Sequence, residues 1–411
     1  MENPDQQNYK EKKNKSKVLA IVLSCVLTFF VTAIFFSFIV FSVIIPSLFP
    51  KTQNAVVSEA LSYINSLYLY DVDFEDLKYG SAKGMVEALN DPFTTYLTPD
   101  EFTEYMQDSQ GNYIGIGVVF TLSEEGKITV AEVYPDSPGM KAGLLPGDIL
   151  THVDKQEAKT ENYNESIELI KGTHIDIDER EGTEVLLTVL RNGEEKNISV
   201  TRGSVHIKSV NESIISDGIG YIKISSFDTA TFEEFDTSYN SLLEKRMTSL
   251  IIDLRDNGGG SFSAAIQMAG GFLEEDSLVV YTTNKKGDKK EYKSNEQRYF
   301  IKPVILVNSN SASASEVFTG ALRDHDMVTE IVGTKTYGKG ITQSVIPLIS
   351  GGGLILTTEN YYTPSGDEIH KKGINPTCEV KIKEEFSSYP VSMYTDEIDT
   401  QKAFAINLLK N

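Results

Sequence analysis

Three short stretches of the chain carry side chains that can do covalent chemistry. Ser309–Ser315 reads Ser-Asn-Ser-Ala-Ser-Ala-Ser and is followed by Glu316. It ends the apolar run Ile305–Asn308 and opens a segment of helical composition. A serine at such a junction can be a nucleophile, because a helix N-terminus offers unpaired N–H groups and partial positive charge to a developing oxyanion. Ser313-x-x-Glu316 also reads as a capping box, which needs no catalysis. The second stretch, Thr334–Gln343, contains Gly338-Lys339-Gly340. If a strand begins at Lys339, then Lys339, Ile341 and Gln343 share a face. A lysine between two glycines can be approached closely by backbone. Among apolar groups its ammonium is disfavoured, so it can act as a general base. Gln343 can then hold the Lys339 amine without adding charge. The third stretch, Asp253-Leu254-Arg255-Asp256-Asn257-Gly258-Gly259-Gly260, leaves a strand and opens a helix. Its glycine N–H groups can supply a second oxyanion donor.

Alternating strand and helix signals frame these stretches. Ile219–Ile224, Ser249–Leu254, Val304–Asn308 and Thr329–Val332 read as apolar strands. Phe232–Arg246, Ser261–Leu273 and Ala314–His325 read as helices, so residues 204–383 predict an α/β sheet. Val345–Leu348 and Leu354–Tyr362 add later strands, and the tail 384–411 carries a helix signal at Ala403–Leu409. Residues 54–108 are predicted helical, broken at Asn90-Asp91-Pro92 and resumed after Thr98-Pro99-Asp100.

Charge and cysteine usage exclude several classes. The chain has 411 residues and a formal net charge of −21. Acidity of that size argues against nucleic acid as a partner. Cys25 and Cys378 allow neither a disulfide framework nor a thiolate zinc site, and His-Glu-x-x-His is absent. The charge is unevenly placed. Residues 1–17 hold five lysines against three carboxylates, 18–50 hold no charge, and residues 51–411 carry −23. The run Val18–Pro50 exceeds the ~20 apolar residues that span a bilayer. With the basic stub before it, the run predicts a single membrane anchor, a cytoplasmic N-terminus and an extracytoplasmic catalytic ectodomain. A cleaved signal peptide is the alternative.

Residues 113–203 resemble a PDZ domain. The resemblance rests on Ile114-Gly115-Ile116-Gly117-Val118 together with Ser137-Pro138-Gly139-x-Lys141-Ala142-Gly143-Leu144-x-Pro146-Gly147-Asp148. Backbone N–H groups around such glycines can hold a chain-terminal carboxylate. One departure is an insertion: Lys171-Gly172 is separated from Gly182-Thr183 by the acidic stretch Thr173–Glu181, expected to be a surface loop.

Together with Ser311-Ala312-Ser313-Ala314-Ser315-Glu316, Tyr337-Gly338-Lys339-Gly340, Gln343, and Tyr361-Tyr362-Thr363-Pro364-Ser365-Gly366, the chain resembles the C-terminal processing peptidases, a serine–lysine family. The resemblance implies a mixed α/β (α+β) multi-domain ectodomain: an N-terminal helical segment, a PDZ domain and a split, crotonase-like α/β protease core, preceded by a transmembrane helix. It implies Ser313 as nucleophile, Lys339 as base, Gln343 as assistant, and Ala314 with Gly258 or Gly259 as oxyanion donors. It implies no cofactor, protein substrates with free C-termini, and a homodimer through the N-terminal helices. An inactive PDZ scaffold that holds C-termini is the reading from another class.

Overall fold

The computed structural model describes residues 28–37, 54–109, 111–123, 125–216, 218–386 and 389–410. The basic stub 1–17 lies outside the described residues. Of the apolar run Val18–Pro50 only 28–37 is described, and it is helical. Among the described residues no helix is long and apolar enough to cross a membrane.

The chain divides into two compact units, Met1–Met85 and Val86–Asn411. The first holds the helix over 28–37, α1 (Asn54–Leu67) and most of α2 (Phe74–Glu87). Val56, Tyr63 and Leu67 of α1 are exposed.

The second unit opens with β1 (Thr95–Leu97) and α3 (Pro99–Asp108). The predicted restart after Thr98 is an ordinary capped helix. The Glu101 N–H donates to the Thr98 hydroxyl (3.4 Å), and Glu101 accepts the Thr98 N–H (2.8 Å).

The glycine-rich segment follows as β2 (Asn112–Gly115), β3 (Val118–Leu122), β4 (Ile128–Val133), α4 (Pro138–Ala142), β5 (Ile149–Val153), β6 (Gln156–Glu157), α5 (Tyr163–Lys171), α6 (Ile177–Arg180), β7 (Glu184–Arg191), β8 (Glu194–Thr201) and β9 (Gly203–His206). Strands β3-β4-β5-β7-β8 form one sheet, and β2 pairs with β9. Strand β7 alternates, with Val185, Leu187 and Val189 fully buried against Ile128, Val130 and Ile170. The insertion lies on the surface, with Thr173, His174, Asp176, Glu179 and Glu181 exposed, but it carries the short helix α6, whose Ile177 (4% exposed) and Arg180 (8%) are buried. Its apolar residue and its arginine find partners that a count of its acidic residues does not reveal.

The remaining elements are β10 (Val210–Ser216), β11 (Ile219–Ile224), α7 (Thr231–Glu244), β12 (Ser249–Asp253), α8 (Phe262–Gly270), β13 (Leu278–Asn284), β14 (Lys289–Lys293), β15 (Pro303–Val307), α9 (Ala314–Asp324), β16 (Glu330–Gly333), β17 (Ile341–Pro347), β18 (Gly353–Tyr362), β19 (Cys378–Glu379) and α10 (Thr400–Lys410). The central sheet runs β10-β11-β12-β15-β16-β19, parallel from β11 onward. All five residues of β15, Pro-Val-Ile-Leu-Val, are buried. Ile305 and Val307 join the core that contains Phe235, Ala265 and Phe318, from α7, α8 and α9. Val304 and Leu306 join the core that contains Ala405 of α10. A parallel strand covered on both faces reads as a continuous apolar run for this reason. Each such side chain contributes about 1.5–3 kcal/mol on burial.

A second sheet, β1-β18-β13-β14 with β17 on β18, carries the Gly338–Gly340 stretch to the central sheet. Because β12 and β15 are parallel neighbours, with Asp253 opposite Leu306, their C-terminal ends lie side by side. The two turns that follow them must meet.

Candidate active site

Ser313 sits where β15 gives way to α9, at φ 56°, ψ −114°. A side chain is strained there, at a cost of about 1–3 kcal/mol. Among the described residues, the serine and threonine caps Thr98, Ser137 and Ser261 are relaxed, with φ between −61° and −69°. A cap alone does not need the strain, so the capping reading does not account for Ser313.

The glycine turn after β12 lies against this serine. A Cβ on Gly259 (φ +102°) would stand 2.7 Å from Ser313 Cβ and 2.9 Å from the Ala314 nitrogen, so only glycine fits. Asn257, fully buried, stitches the turns together. Its carbonyl accepts the Ala312 N–H (3.0 Å) and the Ser315 hydroxyl (3.0 Å). Its side chain donates to the Ile224 carbonyl (2.9 Å) and accepts the Gly259 N–H (2.8 Å). That last bond departs from expectation: the Gly259 N–H is already committed, which leaves Gly258 of the pair. Ala314 is the buried first residue of α9. Upstream, Arg255 lies between two carboxylates, reaching Asp253 at 2.6 Å and Asp399 at 2.6 Å. Burial alone would raise the Asp253 carboxyl; the Arg255 guanidinium overrides it and holds that carboxyl at about 2. The network anchors the base of the turn to the segment before α10.

Lys339 is half-buried, and burial lowers its pKa from the usual lysine value while the Asp91 charge works the other way. Its Nζ stands 4.8 Å from the Phe93 ring centroid. Among the described residues no carboxylate forms an ion pair with it. The close approach expected of the flanking glycines is present: a Cβ on Gly340 would meet the His370 nitrogen at 2.3 Å. Strand β17 starts at Ile341, not Lys339, and its register shifts between Thr342 and Gln343. The expected Gln343–Lys339 hydrogen bond is absent among the described residues. Gln343 instead donates to the Phe93 carbonyl (2.9 Å), holding the residue whose ring covers the ammonium.

Two buried side chains tie the serine to the lysine. Glu316 accepts the Ser313 N–H (2.9 Å), the Thr336 hydroxyl (2.5 Å), the Gly338 N–H (2.8 Å) and the Lys339 N–H (2.9 Å). Burial pushes its carboxyl up, and the four donors oppose this. The Tyr361 hydroxyl reaches both the Ser313 carbonyl (3.1 Å) and the Lys339 carbonyl. Ser313, Lys339, Gln343 and Gly259 line one cavity of about 650 Å³, with Tyr105 of α3 and Tyr113 of β2 on its wall. A strained hydroxyl, a desolvated amine and a nearby helix start can together perform acyl transfer.

In the glycine loop of 114–118, Ile116 is buried, its carbonyl accepts the Gly139 N–H (2.7 Å), and the Gly117 carbonyl accepts the Tyr134 N–H (2.9 Å). Gly117 has φ +68° and leaves no room for a Cβ beside Ser137. Gly115, buried, ends β2, and Ile114 and Val118, half-buried, flank these three glycine-loop residues 115–117.

Sequence reasoning missed Glu316 except as a cap, and missed Tyr361, Asn257 and Phe93 as supports. Glu316 was visible three residues after Ser313. Phe93 had no local signal, since its partners Lys339 and Gln343 are distant in the chain.

Residues 218–380 match the model of peptidase family S41, residues 113–201 a PDZ domain, and residues 49–101 the activating protease CtpB N-terminal domain. A CtpA-like serine protease of Staphylococcus haemolyticus is 36% identical over 330 residues, 79% of this chain and 64% of that relative. Carboxy-terminal processing protease CtpB of Bacillus subtilis is 30% identical over 343 residues, 82% of this chain and 70% of its own. CtpA of the same organism is 31% identical over 349 residues, 84% and 72%. The chain thus spans about two thirds of the length of the relatives it matches. A structure from Bacteroides fragilis assigned to the S41 proteases shares the fold, with TM-score 0.52, 16% identity, and coverage of 80% of this chain and 90% of that one.

Proposed function

Because the chain belongs to the family of carboxy-terminal processing proteases, we propose that it is a serine endopeptidase working through Ser313 and Lys339. The observation that carries this reading is the strained serine beside a half-buried lysine in one cavity, both braced by Glu316. Neutral Lys339 takes the Ser313 proton as the hydroxyl oxygen attacks a peptide carbonyl. The Ala314 and Gly258 N–H groups face the oxyanion. The lysine returns the proton to the leaving amine, and water hydrolyses the ester. Phe93 and Gln343 position the lysine. The loop 114–118 receives the substrate's free C-terminus.

The uncharged run 18–50 behind a basic stub supports a membrane anchor with the catalytic part outside. Exposed apolar side chains of α1 support a homodimer. The test is cleavage of an unfolded protein by the full chain. Ser313→Ala and Lys339→Ala should each lose about a thousandfold or more in rate. Full activity in either variant sinks the assignment, and a parent chain that binds C-termini without cleaving them is a scaffold.

A further inference from the structure

The turn after β12 carries Gly258, and the loop after β15 carries Ser313 and Ala314. Asn257 joins the two near the serine, its carbonyl accepting the Ala312 N–H at 3.0 Å. A single joined point is a hinge: it sets a distance and leaves an angle free. A second joined point lies one residue earlier. One oxygen of the Asp256 carboxylate accepts the Asn308 side-chain amide at 2.7 Å and the Asn310 side-chain amide at 2.9 Å, and the other accepts the Val391 N–H at 2.8 Å. Asn308 answers with its own side-chain oxygen, which accepts the Asp256 N–H at 3.0 Å and the Asn310 N–H at 3.1 Å.

Asp256 has φ 60°, in the left-handed region that Asp and Asn enter more readily than most side chains. Burial alone would raise its carboxyl; the Val391 N–H and the two asparagine amides outweigh it and hold the carboxyl below its ordinary value, so both oxygens accept as an ion. Charge-assisted bonds of this kind are stronger than neutral ones. Behind the turn opens a cavity of about 820 Å³, lined in part by Asp256, Asn308, Asn310, Tyr389 and Tyr394. On that side hydrogen bonds, rather than close packing, hold the turn in place. Val391 belongs to the segment that also supplies Asp399 to Arg255 at 2.6 Å, so one stretch of the tail fixes two successive residues of the turn.

We propose that Asp256 is a positioning residue for acyl transfer: by locking the Gly258 turn to the loop that carries Ser313, its carboxylate fixes the separation of the two oxyanion donors, the Gly258 and Ala314 N–H groups. Such donors work when they stand about 2.7–3.1 Å from the oxygen on which charge develops. With Asp256 removed the turn pivots on Asn257, and a misplacement of about 1 Å costs on the order of a hundredfold in rate. The proposal rests on the reading that Ser313 is the nucleophile and that these two N–H groups face the oxyanion.

The test uses the full chain, a quenched fluorescent peptide as substrate, and the affinities of a peptide aldehyde and the matching peptide alcohol. The aldehyde carbon takes the Ser313 oxygen, the aldehyde oxygen takes the electron pair, and Lys339 takes the proton, so the adduct loads the oxyanion donors; the alcohol does not react. Asp256→Gly removes the carboxylate and relaxes the left-handed backbone, so its folding is not in question on that account. It should lower kcat about a hundredfold, leave KM within about twofold, and weaken the aldehyde at least about tenfold without moving the alcohol. Asp256→Ala, which adds no backbone freedom, should match it. Asp256→Asn keeps an acceptor for Asn308 and Asn310 and turns an N–H₂ toward Val391, so it should recover kcat to within about fivefold of the parent. Parental kcat in the glycine or the alanine variant overturns the proposal. So does an equal loss of aldehyde and alcohol binding, which marks a merely structural role. A parent that cleaves nothing, or that binds the aldehyde no more tightly than its Ser313→Ala variant, overturns the Ser313 reading and the proposal together.

Discussion

Ser261 and Ser313 each open a helix that follows a buried parallel strand, and the two turns touch through Gly259. Locally they are alike: a serine, then a helix that buries alanines against the core. Ser261 is an ordinary cap at φ −61°, its hydroxyl accepting the Ala264 N–H at 3.2 Å. Ser313 is held at φ 56° with its N–H on Glu316 and its carbonyl on Tyr361. The difference teaches where the cost of a strained serine is met. Strain at Ser313 persists because two buried side chains over-determine it, Glu316 one turn on and Tyr361 from β18. Ser261 has no such brace and relaxes.

The largest expected effect on stability comes from removing the brace. Glu316→Gln places an amide N–H₂ against three N–H donors and a hydroxyl, so at least one backbone N–H loses its acceptor and the carboxylate charge is gone. Steady-state kinetics should show a loss of at least about a hundredfold in kcat/KM, and denaturant unfolding a loss of about 2 kcal/mol or more. A variant with wild-type kinetics would remove Glu316 from any positioning role.

The serine pair then separates strain from capping. Ser313→Gly should stabilise the fold by about 1 kcal/mol while abolishing cleavage, because glycine adopts positive φ without penalty. Ser261→Ala should destabilise by about 1 kcal/mol, the ordinary value of a lost cap. Thermal melts of the two variants moving in the same direction would break the comparison.

The smallest effect is electrostatic. The base must be neutral, so the rising limb of the pH–rate profile should lie below the usual lysine range, since burial lowers Lys339. Asp91 favours the ammonium, so Asp91→Asn should move the limb to lower pH. A shift to higher pH would show that Asp91 does not act on Lys339 through charge.

Much of the core was legible because it rests on period. The alternation in Ile219–Ile224 and the apolar run at Val304–Val307 are strands for the reason the pattern suggests. Elements without such a pattern were not legible. Strand β14, Lys-Lys-Glu-Tyr-Lys, is polar and mostly exposed, an edge that among the described residues pairs only with β13. The short helix within the exposed insertion was not legible because acids outnumber Ile177 and Arg180, the two residues of it that are buried. Gln343 was assigned to the amine by face alternation, and the register shift beside it redirects its amide to Phe93.

What the sequence determined by itself is the set of candidate groups for the chemistry and most of the strands and helices that carry them, since residue type and local period point to both. It also set the distribution of charge along the chain. Only the tertiary structure decided that Ser313 is strained, that Glu316 and Tyr361 join serine to lysine, and that Arg180 meets Glu104. Those contacts join residues that the chain keeps apart and that only the packing of two sheets and their helices brings within hydrogen-bond reach.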